Sequence, residues 1–263
     1  MPVTVAPPIA RVGLTLALAL AGPSLASAQS PLAQDTATLA AVDRAMEAYR
    51  LDAHIPGMVY GIVHGGRLVH AKGLGVQDIE TRRPVTPDTL FRIASMTKAF
   101  TALTLLKLRD DGKVSLDAPV EIYVPELRGW KYPTDDSPKI RVRELLTHTA
   151  GFVTDDPWGD RQTPLPEDDF TRLLKDGVPF MRAPAMAMEY SNLGYALLGR
   201  IIANVAQQPY DEVVQRTLLR PLGMTSTSHH VTSVAAERRA LGYRWEDHGW
   251  MLEPFAPRGS VIS

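Results

Sequence analysis

Residues 95–112, SMTKAFTALTLLKLRDDG, constrain the fold more than any other stretch of this chain. Met96, Ala99, Phe100, Ala102, Leu103, Leu105, Leu106 and Leu108 spread around a helix instead of keeping to one stripe, which predicts a central helix packed on most sides. Gly112 suits the position just past its end, where a left-handed residue closes a helix. Leu193 to Ala206 is a second strong helix by period and composition. Two such segments predict a mainly helical region over residues 94–240.

The flanking sequence reads differently. Leu39, Val42, Met46 and Tyr49 recur at helical spacing through Thr36 to Ala53, with Asp35 placed to cap that helix and Pro56-Gly57 ending it. MVYGIVHGGRLVHAKGLG then places two β-rich runs, Met58 to Val76, around Gly65-Gly66, a pair that tolerates the positive φ of a tight hairpin. Pro84 and Pro87 mark an irregular link to the Ser95 helix, and prolines 119, 125, 133 and 138 mark a turn-rich tract beyond it. Short helices are expected at Arg141 to Thr147 and Asp168 to Lys175, with a loop at Gly151 to Pro166 between them. Met186 to Tyr190 reads as strand-like. Pro209 can open a helix over Tyr210 to Leu219, and Ala240 to Trp245 and Trp250 to Phe255 read as weak strands.

At 263 residues with a formal charge of −1, the chain is long enough for a sizeable core, and nothing in its charge balance points to nucleic acid. Small molecules or peptides fit better as partners. Cysteine is absent, which excludes disulfides, thiolate metal sites and a cysteine nucleophile. Residues 1–28 read as a secretory signal: Arg11 is the positive charge, Val12 to Ala21 the apolar run, and Ala26-Ser27-Ala28 the cleavage site, leaving a mature chain from Gln29. That run falls short of the roughly 20 residues of a spanning helix. A periplasmic or secreted protein with no membrane span after cleavage is expected.

Ser95 and Lys98 are three residues apart, so on a helix their hydroxyl and amine share a face. Two readings compete. Ser95 can simply cap the helix, with Lys98 snorkelling to solvent. Alternatively the helix N-terminus, with its free N–H groups and dipole, stabilises an attacking alkoxide and the oxyanion that follows, while a desolvated Lys98 exchanges protons with Ser95. Far downstream, Tyr190-Ser191-Asn192 supplies a phenol and an amide that both donates and accepts. Here too a bland reading exists: Tyr190 as a half-buried strand residue and Asn192 as the cap of the next helix.

Order and surroundings favour the chemical readings. LFRIASMTKAFTAL, then LLTHTAGF at residues 145–152, then YSNLGYALLGRIIANVAQQPYDEVVQRTLLRPLGMTST at residues 190–227 together resemble the serine β-lactamase-like superfamily. Within it the chain is most similar to the branch of class C β-lactamases, D-Ala-D-Ala carboxypeptidases and family VIII esterases. The resemblance implies an α+β, β-lactamase/transpeptidase-like fold, with an antiparallel sheet flanked by helices plus an all-α lobe. The sheet side would take residues 29–93, the helical lobe 94–240, and residues 241–263 would begin a C-terminal part. It also implies roles by position: Ser95 as the acylated nucleophile, Lys98 as its proton partner, Tyr190 as the base, and Asn192 as a substrate contact. No metal or cofactor is implied. His148 is expected to be structural.

Three departures stand out. Ala185 and Gln207 occupy places where the family usually has glycine, and no Lys-Thr-Gly or His-x-Gly third motif follows Tyr190, since His248-Gly249-Trp250 does not match. Family members also continue well past the PRGSVIS with which this sequence ends. The expectation is therefore a fragment or a truncated chain of poor activity, with C-terminal strands and third motif missing. A serine hydrolase acting on an amide, ester or β-lactam carbonyl is the leading reading, and a non-catalytic penicillin-recognising module the alternative. No G-x-S-x-G or H-E-x-x-H motif occurs, and His229-His230 reads as a solvated loop pair.

Overall fold

The computed structural model describes residues 36–154 and 165–253. Residues 1–28, expected to be a secretory signal, Asp35 and the middle of the 151–166 loop lie outside the described residues. Helix α1, Thr36–Asp52, leads into an antiparallel hairpin of β1, Gly57–His64, and β2, Arg67–Gly75. Gly65 and Gly66 turn the hairpin with φ of 56° and 73°, the left-handed pair that a two-residue connection of this twist requires. Gly73 has a different reason: a Cβ there would stand 2.3 Å from the carbonyl oxygen of Val85, where the chain crosses the strand.

The helical lobe follows. Helix α2, Thr97–Asp110, packs with α3, Val142–Leu146, and with α5, Asn192–Ala206, around a core that includes Leu105, Leu108, Val142, Leu145, Leu197, Leu198, Ile201 and Ile202. Helix α4, Glu167–Asp176, closes one side, where the Trp130 indole donates to the carbonyl of Leu174 at 2.6 Å. Helix α6, Tyr210–Val214, runs on as a turn of π-helix over Gln215–Leu219. The segment 236–241 then returns beside the chain after β2, with Ala240 N–H donating to Leu90 O at 2.9 Å and Leu241 N–H to Gln77 O at 2.8 Å. Strands β3, Gly242–Glu246, and β4, Gly249–Glu253, pair as a second hairpin turned by Asp247 and His248, both left-handed.

Two expectations need correction. The α2 helix is buried on one side only: Thr101, Thr104, Leu105 and Leu108 face the core, whereas Met96, Ala99 and Leu103 face out. The threonines take inward places that an apolar pattern assigned to neither face. Residues 186–190 form no strand, because their bonding groups are spent on the turn after α3, as with Glu189 N–H on His148 O at 2.7 Å. The two weak strands are present as β3 and β4, paired with each other, while residues 254 and 255 lie outside the described residues.

Ala185 and Gln207 prove to be left-handed, at φ of 67° and 53°. That is the conformation glycine adopts at no steric cost, which accounts for the family's preference at both places.

Candidate active site

Ser95 does not cap α2. It lies in the single 3-10 turn Ala94–Met96 that leads into the helix, and no side chain caps the first turn of α2. The turn is tight enough to hold Ala94 at φ 43°, a left-handed conformation that costs a residue with a Cβ about 1–2 kcal/mol. Ser95 is thereby presented at the surface at the head of the helix. Lys98 follows one turn on and is half-buried.

Asn192 is not a cap either. Ser191 takes that place, its hydroxyl accepting the Gly194 N–H at 3.1 Å, so Asn192 becomes the first residue of α5 and its amide oxygen faces Lys98 on α2. The Asn192 Oδ1 accepts from the Lys98 ammonium at 2.5 Å, and Lys98 Nζ also donates to Ser95 Oγ at 3.1 Å. The Tyr190 hydroxyl lies 2.8 Å from Ser95 Oγ, and the same ammonium sits 4.8 Å from the Tyr190 ring centroid. All four residues singled out in the sequence thus come together, Tyr190 and Lys98 on Ser95 Oγ and Asn192 on Lys98.

Tyr195 is a second phenol close by, with its ring centroid 5.6 Å from Lys98 Nζ. It does not share Tyr190's place. Its hydroxyl donates to the carbonyl of Leu146 at 3.1 Å, and burial, then the neighbouring Tyr190, pushes its pKa up, so it stays a neutral phenol.

The segment carrying Tyr190 is held from below. Arg182 pairs with Glu189 at 3.1 Å, Thr154 also donates to the Glu189 carboxylate, and His148 accepts the Glu189 N–H on its carbonyl and the Ser191 N–H on Nδ1 while its ring stacks on Tyr190. Sequence reading treated His148 as structural and missed its contact with Tyr190. The signal was present in the LLTHTAGF motif, but nothing in spacing ties residue 148 to residue 190.

His229 and His230 part company. His230 is exposed and pairs with Asp211 at 2.6 Å, whereas His229 is half-buried with its ring edge on Tyr210, and burial lowers its pKa. Among the described residues, no group of three or more His, Asp or Glu side chains could hold a metal ion. Among them, too, no helix is long and apolar enough to cross a membrane.

Comparison with known proteins shows the family and the fold. The Beta-lactamase family model matches residues 41–260, and the chain belongs to that family. Its fold is the β-lactamase/transpeptidase-like one, and its relatives are of the serine-hydrolase type. Over 204 residues, 77% of this chain, it is 35% identical to Protein flp of Staphylococcus aureus, of which the match spans 40%. Over 240 residues it is 30% identical to Esterase EstB of Burkholderia gladioli, covering 86% of this chain and 59% of the esterase. The octameric penicillin-binding protein homologue from Pyrococcus abyssi superposes with a TM-score of 0.72 at 30% identity, over 86% of this chain and 53% of that one. The chain therefore spans about 40–60% of the length of the relatives it matches.

Proposed function

We propose that this chain carries the acylating half-reaction of a serine hydrolase, with Ser95 as the nucleophile toward an ester, amide or β-lactam carbonyl. One observation carries the reading: Ser95 Oγ lies within hydrogen-bond reach of both the Tyr190 hydroxyl and the Lys98 ammonium. The step starts from Tyr190 as phenolate beside the Lys98 ammonium: as Oγ attacks the carbonyl carbon its proton passes to the Tyr190 oxygen, which returns it to the leaving group. Lys98 contributes a positive charge beside the oxygen on which negative charge develops, and the head of α2 adds its dipole. Asn192 holds the ammonium in place from the head of α5, beside the position a substrate would take. Water then attacks the ester on Ser95, giving up its proton along the same path.

The relatives support a carbonyl electrophile: one is named an esterase, another a penicillin-binding protein homologue. The leader-like residues 1–28 support export, with the reaction taking place in the periplasm or outside the cell. The site is solvent-exposed, Tyr190 being 37% accessible, which suits small-molecule or peptide substrates that enter from the surface.

Intact-protein mass spectrometry with p-nitrophenyl acetate and a fluorescent penicillin tests the proposal. Ser95→Ala is expected to abolish acyl transfer to the protein, and undiminished labelling of that variant would sink the assignment. A burst of p-nitrophenol followed by steady release marks a hydrolase, whereas labelling without release marks a penicillin-recognising module.

A further inference from the structure

His148 lies outside the contacts among Ser95, Lys98 and Tyr190, yet it grips the tyrosine's stretch of chain in three ways. Its carbonyl oxygen accepts the Glu189 N–H at 2.7 Å, and its Nδ1 accepts the Ser191 N–H at 3.1 Å. Between those two pinned amides, its ring stacks on the Tyr190 ring, with centroids 4.6 Å apart and planes 28° from parallel. The far side of the imidazole meets the Tyr195 ring, with centroids 5.0 Å apart.

Local chemistry explains how one residue does this. Helix α3 is only five residues long, and its start is fixed by Glu144, whose carboxylate accepts the Arg141 N–H at 2.7 Å. Thr147 caps its end, and His148 at φ 59° reverses the chain, a left-handed conformation that histidine adopts more readily than most residues. Ser191 is the cap of α5, so its own N–H falls outside the helical ladder and takes a partner from elsewhere. A nitrogen that accepts from an amide carries no proton, so the ring is neutral with its hydrogen on Nε2.

We propose that His148 is a positioning residue for Tyr190: the stack and the Nδ1 bond together hold the phenol over Ser95. The inference rests on the reading of Ser95 as nucleophile and Tyr190 as its proton acceptor. A phenol on an exposed, irregular segment would otherwise sample many rotamers, and small misplacements of a proton acceptor are costly. The stack fixes the ring plane, and the backbone bonds fix the Cα from which the ring projects.

Three substitutions separate the two contacts. His148→Asn keeps an acceptor close to the Nδ1 position and tolerates the left-handed backbone, but loses the ring. His148→Phe keeps the ring and loses the acceptor. His148→Ala loses both.

The experiment measures Ser95 acylation by p-nitrophenyl acetate in single turnovers against ester concentration, with thermal melting of each variant and a crystal structure of the Ala variant. His148→Ala is expected to lower the limiting acylation rate on the order of 100-fold, with a roughly unchanged half-saturation concentration. Asn and Phe are each expected to restore about tenfold of that loss. In the Ala variant's crystal structure the Tyr190 hydroxyl is expected to leave hydrogen-bond reach of Ser95. The proposal is overturned if the Ala variant acylates at the native rate or keeps the phenol on Ser95. A loss confined to half-saturation, or rates that fall in parallel with melting temperature across all three variants, overturns it as well. Ser95→Ala separates the two readings: acylation that survives it removes the nucleophile assignment, while the Tyr190 position in the His148→Ala crystal still decides the clamp.

Discussion

The helical lobe and the α1–β1–β2 layer are held together by different physics. In the lobe, Leu105, Leu145, Leu197, Leu198, Ile201 and Ile202 are fully buried, and the attraction is apolar burial and close packing. In the layer, neither α1 nor either strand of the first hairpin contains a fully buried residue. A polar cluster ties it instead. The Asp43 carboxylate on α1 accepts from Lys72 Nζ at 2.5 Å, from the Tyr60 hydroxyl, and bonds to His70 Nε2 at 2.8 Å, all three partners being on the hairpin. Arg50 adds a hydrogen bond to the Ile55 carbonyl at 3.0 Å and pairs with Glu47.

The difference bears on where chemistry can be built. Ser95 and Lys98 stand at the head of α2, and Tyr190 and Asn192 at the head of α5, so all four are anchored in the lobe's packed core. Packing of that density resists small displacements, and hydrogen-bond geometry at Ser95 needs that resistance. A layer held by half-buried charges, with no packed apolar interior of its own, supplies less restraint.

The largest expected effect breaks the lobe. Ile201→Ala removes a fully buried side chain and should cost about 2–5 kcal/mol of unfolding free energy, read from urea denaturation. A midpoint within error of the native one would contradict a lobe-centred stability.

Next comes the layer. Asp43→Asn is expected to speed hydrogen exchange along α1 while α5 amides stay protected, so equal effects on both would erase the distinction. Its pH dependence has a definite sign. The hydrogen bond from Lys72, then that from Tyr60, holds the Asp43 carboxyl well below the usual carboxylate range, so its contribution is complete above pH about 4 and is lost as the pH falls below that. The Tyr60 phenol, pushed up to about 12 chiefly by burial and then by its bond to Asp43, contributes fully below pH about 10 and loses that contribution as the pH rises toward 12. Exchange along α1 should therefore be slowest between those limits, once corrected for the intrinsic pH dependence of amide exchange.

The smallest effect is a gain. Gln207→Gly places glycine at a left-handed helix end and should stabilise by roughly 0.5 kcal/mol, the relief of the αL penalty less glycine's greater freedom when unfolded. A fall in melting temperature would mean that the Gln207 side-chain bond to the Asn204 carbonyl outweighs the strain.

Much of the fold was legible because its signals are local. Helices α1 and α5 announced themselves by apolar period, α2 by its dense apolar run closed at Gly112, and the first hairpin by Gly65-Gly66 between two β-rich runs. The four site residues were legible through their motifs. What could not be read depended on partners distant in sequence. The strand expected at 186–190 failed because His148, some forty positions upstream, takes Glu189 and Ser191 as its partners. A cap role stayed open beside the chemical one for Asn192 because its neighbour Ser191, the actual cap, offers the same hydrogen-bonding chemistry one position earlier. It stayed open for Ser95 because a serine before a helix is ordinarily a cap, and the 3-10 turn that turns it outward depends on a strained Ala94.

The sequence by itself determined that residues 95 and 98 share a helix face, that a helix begins just after Tyr190, and that Gly65-Gly66 reverses a strand. These follow from periodicity and backbone preference, which act over a few residues. Only the tertiary structure decided that the heads of α2 and α5 converge, that Asn192 turns to Lys98, and that His148 lies against Tyr190. Those contacts join positions about 40 to 95 residues apart, and packing of the shared core, which no local preference encodes, brings them together.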